Sequence, residues 1–376
     1  MKAFTQELPK KGKKGSENVK AEPMLQLLRE AVKKDCSDIH LRAGSQPRFR
    51  MDGELLRVKG LEPSEEMMKS FFGPMLTSAQ ADHFERTQEL DFSHEVAGVC
   101  RMRVNLYQER QFFCAAIRII PKHIPTMEEI MLPPAAEMLT GLDRGLVLVT
   151  GVTGSGKSTT LAAMINHINA TRQCHILTVE DPIEYSYEDK RAYVTQREVT
   201  ADTVSFPAAL RHSMRQDPDV VLIGEMRDLE TMSTSITLAE TGHLTFSTLH
   251  TGNAAQTISR IVDAFPPHQQ EQVRLQLANS LEGVIAQQLL PRKDNRGRIA
   301  AREVLICTRA VRNLIKENKL NQVQSNIQTG GDEGMLTMNS SLAELVKAGY
   351  VDYEFARSVA PDPKDFAAKF SGKRGR

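Results

Sequence analysis

A short apolar strand, a glycine-rich turn and a helix follow one another between residues 145 and 170, and this order constrains the fold more than any other feature of the chain. The strand reads GLVLVT. The turn runs Gly151, Val152, Thr153, Gly154, Ser155, Gly156, Lys157, Ser158, a match to G-x-x-x-x-G-K-[ST]. The run KSTTLAAMINHINA, which holds Lys157, Ser158 and Thr159, has the composition of a helix. Glycines at 151, 154 and 156 let the main chain curl until consecutive N–H groups face inward, and the helix adds the positive end of its dipole. Such a concavity of donors suits a polyphosphate. Lys157 would reach the β- and γ-phosphates, and the Ser158 hydroxyl would ligate Mg²⁺. A nucleoside triphosphate and Mg²⁺ are therefore expected at residues 151–159.

The texture around this turn repeats it. CHILTVED, DVVLIGE and HLTFSTLHT are short apolar runs ending in polar residues, with helical patterns such as LETMSTSITLAET between them. Strands alternating with helices predict parallel βαβ units whose ligands sit at the carboxyl ends of the strands. Two of those ends carry acids: TVEDPIEY holds Glu180, Asp181 and Glu184, and VVLIGEMRD ends its apolar run at Glu225. Glu225 stands where P-loop NTPases place a second metal-coordinating group, although Asp is commoner there. The acids of the first set could take a proton from, or orient, an attacking water.

AETGHLTFSTLHT puts His243 and His250 at opposite ends of one strand. His250 falls at the carboxyl end, on the phosphate side, and could sense a γ-phosphate; a lone histidine is more often a structural hydrogen-bonder. Phosphoryl-transfer sites often add an arginine. The candidates are Arg103 and Arg118, each in an apolar run, and Arg211 and Arg215 in LRHSMRQDPD. Spacing alone does not raise them above half-buried ion-pair partners.

With 376 residues the chain should hold two domains. Residues 1–20 are rich in Lys and Gly and read as a disordered tail. Residues 21–120 read as an α+β domain. It starts with a helix through Met24, Leu27, Leu28, Ala31 and Val32, followed by extended stretches around SDIHLRAG and PRFRMDGELLRV, with Asp52-Gly53 as a hairpin turn. A helical segment over 64–86 and the strand runs CRMRVNLYQER and QFFCAAIRII complete it. Prolines 121, 125, 133 and 134 suggest a linker over 121–138. The α/β core then covers 139–307. Residues 308–376 read as helices (AVRNLIKENK, SSLAELVKAG, YEFARSVA) with a turn at Gly330-Gly331.

Composition excludes several classes. Forty-eight basic and 47 acidic residues leave a net charge of +1, so no global field draws the chain to a polyanion, and there is no Trp to stack on bases. That argues against a nucleic-acid translocase. Five scattered cysteines without a C-x-x-C pair fit neither a zinc ribbon nor a disulfide framework. No run approaches the ~20 apolar residues of a transmembrane helix, and the first stretch lacks the apolar segment of a secretory signal.

In order and spacing, GVTGSGKST, ILTVEDPIEY, LRHSMRQDPDVVLIGEMRDLET and AETGHLTFSTLHT resemble the Walker A, Asp-box, Walker B and His-box of the type II/type IV secretion ATPases. Within that superfamily the chain looks like the type IV pilus retraction ATPases (the PilT group), from about Met24 to Ala356. CSDIHL and MRVNLYQER are similar to that group's PAS-like domain, and AVRNLIKENK resembles its AIRNLIRE segment, which is associated with retraction rather than with hydrolysis. The resemblance implies an α/β fold: a RecA-like P-loop ATPase core with an N-terminal PAS-like domain and C-terminal helices. It implies a homo-hexameric ring, with nucleotide between the two domains at subunit boundaries, that hydrolyses ATP to power pilus retraction and twitching motility.

By the same resemblance Glu184 would activate water, and Glu225 would be the Walker B acid holding Mg²⁺ with Ser158. His250, and less directly His243, would sit near the γ-phosphate. Arg103 and Arg118 would be arginines that the PAS-like domain brings to the nucleotide. Implied partners are an inner-membrane platform protein and, through it, pilin, with no nucleic acid. The implied place is the cytoplasm, peripheral at the inner membrane. Val152 replaces the family's usual Pro at a position that offers only backbone. Lys316 stands where AIRNLIRE has Arg, which puts in doubt any contact needing a planar guanidinium. An accessory retraction ATPase, a pilus extension or type II secretion ATPase, and a non-hydrolysing nucleotide-sensing ring remain alternatives; the missing cysteine pairs oppose the extension reading, and intact Lys157, Glu184 and Glu225 oppose the last.

Overall fold

The computed structural model describes residues 18–51, 53–121, 123–294 and 297–371. Residues 1–17 of the expected tail, and Asp52 of the expected turn, lie outside the described residues. The chain divides into two compact units between His123 and Ile124.

The first unit runs α1 (Asn18–Lys33), β1 (Asp38–Arg42), β2 (Arg48–Met51), β3 (Glu54–Arg57), α2 (Glu65–Phe72), α3 (Ser78–Thr87), β4 (Glu89–Val96), β5 (Cys100–Glu109) and β6 (Phe112–Ile120). The helix α1 begins inside the segment read as tail. The strands form one sheet in the order β3-β2-β1-β6-β5-β4, every neighbour antiparallel. Along β5, Met102, Val104 and Leu106 are buried in alternation. They share a core with Ile39, Phe49 and Phe113 from the sheet and with Met24, Leu28, Phe72 and Phe84 from the helices. One face of the sheet is thus covered, as period-two patterning demands.

The single helical segment expected over 64–86 is two helices. Gly73 closes α2, Pro74 lies in a short 3-10 turn, and Thr77 restarts the chain with a capping box to Gln80. Strand β4 went unread because ELDFSHEV hides its alternation of Leu90 and Phe92 among charges.

The second unit comprises α4 (Pro134–Thr140), β7 (Gly145–Thr150), α5 (Lys157–Thr171), β8 (His175–Glu180), β9 (Tyr193–Glu198), α6 (Phe206–Ser213), β10 (Val220–Ile223), α7 (Leu229–Glu240), β11 (Leu244–Leu249), α8 (Ala254–Asp263), α9 (Pro267–Ser280), β12 (Leu281–Pro291), β13 (Arg298–Ile306), α10 (Arg309–Lys316), α11 (Val323–Thr329), α12 (Met338–Lys347), α13 (Tyr353–Val359) and α14 (Pro363–Ser371). Its sheet order is β13-β12-β7-β11-β10-β8-β9. All pairs are parallel except β12 with β13.

The expected α/β architecture is present, with β7 central between β11 and β12. Leu146 and Leu148 of β7 join Ile236 and Ile258 of α7 and α8 in one core, and Val147 and Val149 join Leu161, Met164 and Ile165 of α5 in another. Helices therefore cover both faces and leave the strand ends as the place for polar chemistry. Of the segment read as linker, Met127 and Ala136 are buried in the second of these cores. Arg302 of β13 reaches that segment too, donating from Nη1 to Met131 O (3.0 Å) and from Nη2 to Ile130 O (3.0 Å).

Candidate active site

Strand β7 is buried throughout and delivers the chain to the carboxyl edge of the sheet at Gly151. There φ is +145°, and a Cβ would lie 2.3 Å from Gln287 O and 2.5 Å from Ser155 Oγ, so only glycine fits. Gly156, at φ +87°, caps α5 without a side-chain hydrogen bond, which leaves the first-turn N–H groups of the helix to an anion.

Lys157 is buried, and its Nζ donates to Gly151 O (2.9 Å) and Val152 O (3.1 Å). Burial pushes its ammonium below the usual lysine range, against the pull of Glu225 and Glu184 in the other direction. The lysine and both acids thus share one electrostatic neighbourhood. Ser155 Oγ is buried with no hydrogen-bond partner among the described residues. A side chain from β12 pins the loop: Gln287 Nε2 donates to Ser155 O (2.6 Å), and its Oε1 accepts from Thr160 Oγ1 (2.8 Å). Thr159 Oγ1 and Tyr185 OH hydrogen-bond at 3.0 Å.

The acids are held in two different ways. Glu180, at the end of β8, is buried and accepts from Thr178 Oγ1 (2.8 Å) and Gln196 Nε2 (3.2 Å); burial pushes its carboxyl up to about 7. Its other oxygen accepts from Glu184 N (3.5 Å), and Glu198 Oε2 accepts from Ile183 N (3.2 Å). These two buried acids grip the turn that presents Glu184, which is itself exposed, as is Asp181.

Glu225 follows β10, where Thr248 Oγ1 donates to Gly224 O (2.7 Å) and Met226 N donates to Thr248 O (3.1 Å). Its Oε1 pairs with Arg227 Nε at 2.6 Å, and its Oε2 lies 3.5 Å from His250 Nε2. His250 and Glu225 are therefore brought together. His243 is not: its Nδ1 lies 3.0 Å from Leu238 O, at the far end of a strand about 20 Å long.

The arginines divide likewise. Arg211 pairs loosely with Glu230 (3.7 Å), and Arg215 is exposed. In the first unit Arg103 and Arg118 face each other across β5 and β6, on the side of the sheet opposite its core. Arg118 Nε donates to Asp38 Oδ1 (2.9 Å), and Arg103 lies 4.0 Å from Asp91. Arg118 keeps 70% of its side-chain surface in solvent and Arg103 46%, so Arg103 is the half-buried ion-pair partner that its apolar run suggests, whereas Arg118 is paired but largely exposed.

Comparison with known proteins now decides the family. Residues 14–354 match the family model described as Type II/IV secretion system protein. The chain belongs to that family. It is 47% identical over 342 residues to the type IV pilus retraction ATPase PilT of Pseudomonas aeruginosa, covering 91% of this chain and 99% of that protein. It is 45% identical over 348 residues to a twitching motility protein of Neisseria gonorrhoeae, covering 92% of each. The crystal structure of the pilus retraction motor PilT with bound ADP superimposes with a TM-score of 0.84 at 46% identity, over 91% of this chain and 98% of that one. The resemblance read from the four boxes is borne out, and the α/β fold with it.

For a secretion-family protein the donor set is also informative. Among the described residues no group of three His, Cys, Asp or Glu side chains forms a metal cage. The Ser158 hydroxyl and the Glu225 carboxylate are hard oxygen donors, the set suited to Mg²⁺ held largely through substrate phosphates. No helix among the described residues is long and apolar enough to cross a membrane. Sequence reasoning passed over Gln287, Tyr185, Gln196 and Arg227. The one available signal was the amide pair inside VIAQQLLP, since a polar side chain within an apolar strand must find a partner.

Proposed function

We propose that this chain is an ATP-hydrolysing motor that powers type IV pilus retraction and twitching motility as a hexameric ring, acting on an inner-membrane platform protein from the cytoplasmic side. The observation that carries this reading is the convergence of Lys157, Glu184 and Glu225 at the carboxyl edge of the parallel strands of one sheet, beside a P-loop that glycine and Gln287 hold in its curled form. The extent of the likeness to retraction ATPases supports the cellular assignment.

In this mechanism the N–H groups of residues 151–159 and the Lys157 ammonium bind the β- and γ-phosphates of ATP. Ser158 and Glu225 would hold Mg²⁺, which supplies charge neutralisation on the phosphate oxygens. Glu184 orients the attacking water and accepts its proton. Glu180 and Glu198 act behind it by fixing the turn, and His250 reports on the γ-phosphate through Glu225. Arg103 and Arg118 contribute cations to the nucleotide. The test is deletion of the gene with microscopy of pili. Long pili that do not retract are expected; absent pili would assign the chain to extension instead.

A further inference from the structure

Beside the first residues of the P-loop, Gly151 and Val152, lies a cavity of about 620 Å³, large enough for a small-molecule ligand. Gly151 and Gln287 form one side of it, and the rest comes from the starts of α8, α12 and α14, from β13 and from α11. Its wall is rich in acceptors, and none of the described residues lining it is basic. Glu303 is buried there, accepting from Ala254 N (2.9 Å), and burial holds its carboxyl above the usual range. Asp362 and Asp365 line it as well.

Asn339 gives an independent sign of a ligand. Only 5% exposed, it forms part of the same wall, and its Nδ2 donates to Asp362 O (2.8 Å) and Asp365 Oδ2 (2.7 Å). Two oxygens on the nitrogen side settle which way the amide faces. Its Oδ1 is left buried with no hydrogen-bond partner among the described residues. A buried acceptor without a donor is unfavourable, and so is a buried acid without a counter-charge.

We propose that this cavity binds a guanidinium or ammonium group, brought either by a free small cation or by a basic side chain of a partner chain. A planar guanidinium offers a fork of N–H donors, the complement of carboxylate and amide oxygens such as those of this wall. Because Gln287 lines the cavity and also holds Ser155 O and Thr160 Oγ1, an occupant bears on the P-loop. Any change it makes in ATP affinity is matched by an equal effect of ATP on its own binding.

Calorimetric titration of the full chain with arginine amide, and separately with a short capped peptide containing one arginine, tests this, with citrulline in place of arginine as the neutral control. Saturable binding of at least one cationic probe is expected, weaker by about tenfold or more for citrulline and in Glu303→Gln. Asp365→Asn serves as the second variant should Glu303→Gln unfold, and a melting curve verifies each. Binding of arginine amide identifies a small cation, and binding of the peptide alone identifies a partner's side chain. The proposal is overturned by no saturable binding of either probe, by equal binding of citrulline, by unchanged binding in the folded variants, or by mutual exclusion with ATP, which would make the cavity part of the nucleotide site.

Discussion

In the second unit β7, β10 and β11 are buried along their whole length, whereas β5 of the first unit alternates between buried and exposed positions. The parallel strands have helices on both faces, so no side chain along them is free for chemistry. Lys157, Glu184, Glu225 and His250 all come after the last residue of a strand, where loop geometry aims them. The antiparallel sheet keeps one uncovered face, and its charges stand in register across it: Arg50, Asp38, Arg118 and Arg103 occupy successive strands. The lesson is that edge chemistry depends on how the backbone turns, while face chemistry depends on which strands are neighbours.

If the edge alone carries catalysis, Lys157→Ala has the largest effect, lowering phosphate release by about a thousandfold and weakening ATP binding. A rate within tenfold of the parent would break the comparison. Glu184→Gln should cost turnover about a hundred- to a thousandfold and leave ATP affinity intact, as measured by nucleotide binding beside phosphate release. Unaltered turnover removes Glu184 from its post.

An edge that buries its acids is also sensitive to pH. Burial raises the Glu180 carboxyl from 4.5 to about 7, so the folded chain keeps a proton that the unfolded chain releases between those values. Its contribution is full below the lower value and is lost as pH rises through the upper one, up to about 3 kcal/mol. Melting temperatures from about pH 5 to pH 8 should fall relative to those of Glu180→Gln; parallel curves would show that the proton is not held.

The face is tested by Arg118→Ala and Arg103→Ala. Each should lower kcat/KM for ATP by at least about tenfold while changing stability by less than about 0.5 kcal/mol, because exposed ion pairs contribute little. Stability lost without rate would make them structural. The smallest expected effect is that of Gln287→Leu, which removes the donor to Ser155 O and should cost about 1 kcal/mol of stability with a rise in KM for ATP. An unchanged KM would mean that β12 does not set the loop.

Much of the site could be read before the fold was seen, because its determinants are local. The P-loop glycines, the helix after them and the acids closing TVE and LIG lie within a few residues of the strands that aim them. Strands β7, β8, β10 and β11 were legible as short runs of apolar and β-branched residues, whereas β9, β12 and β13 were not, since charged or amide side chains interrupt all three. The break at Gly73-Pro74 was a local signal overlooked within a longer helical pattern.

By itself, then, the amino-acid order determined the curl of the phosphate loop and the alternation of strands with helices, both set by short-range sterics and periodicity; it offered Glu180, Asp181 and Glu184 together, and only the family resemblance singled out Glu184. Tertiary structure alone decided that Gln287 of β12 would clasp the loop, that Arg118 would stand between Asp38 and Arg103, and that Asn339, in a cavity wall shared with Glu303, would leave an acceptor bare. Those juxtapositions join residues far apart along the chain, and only strand order and helix packing bring them together.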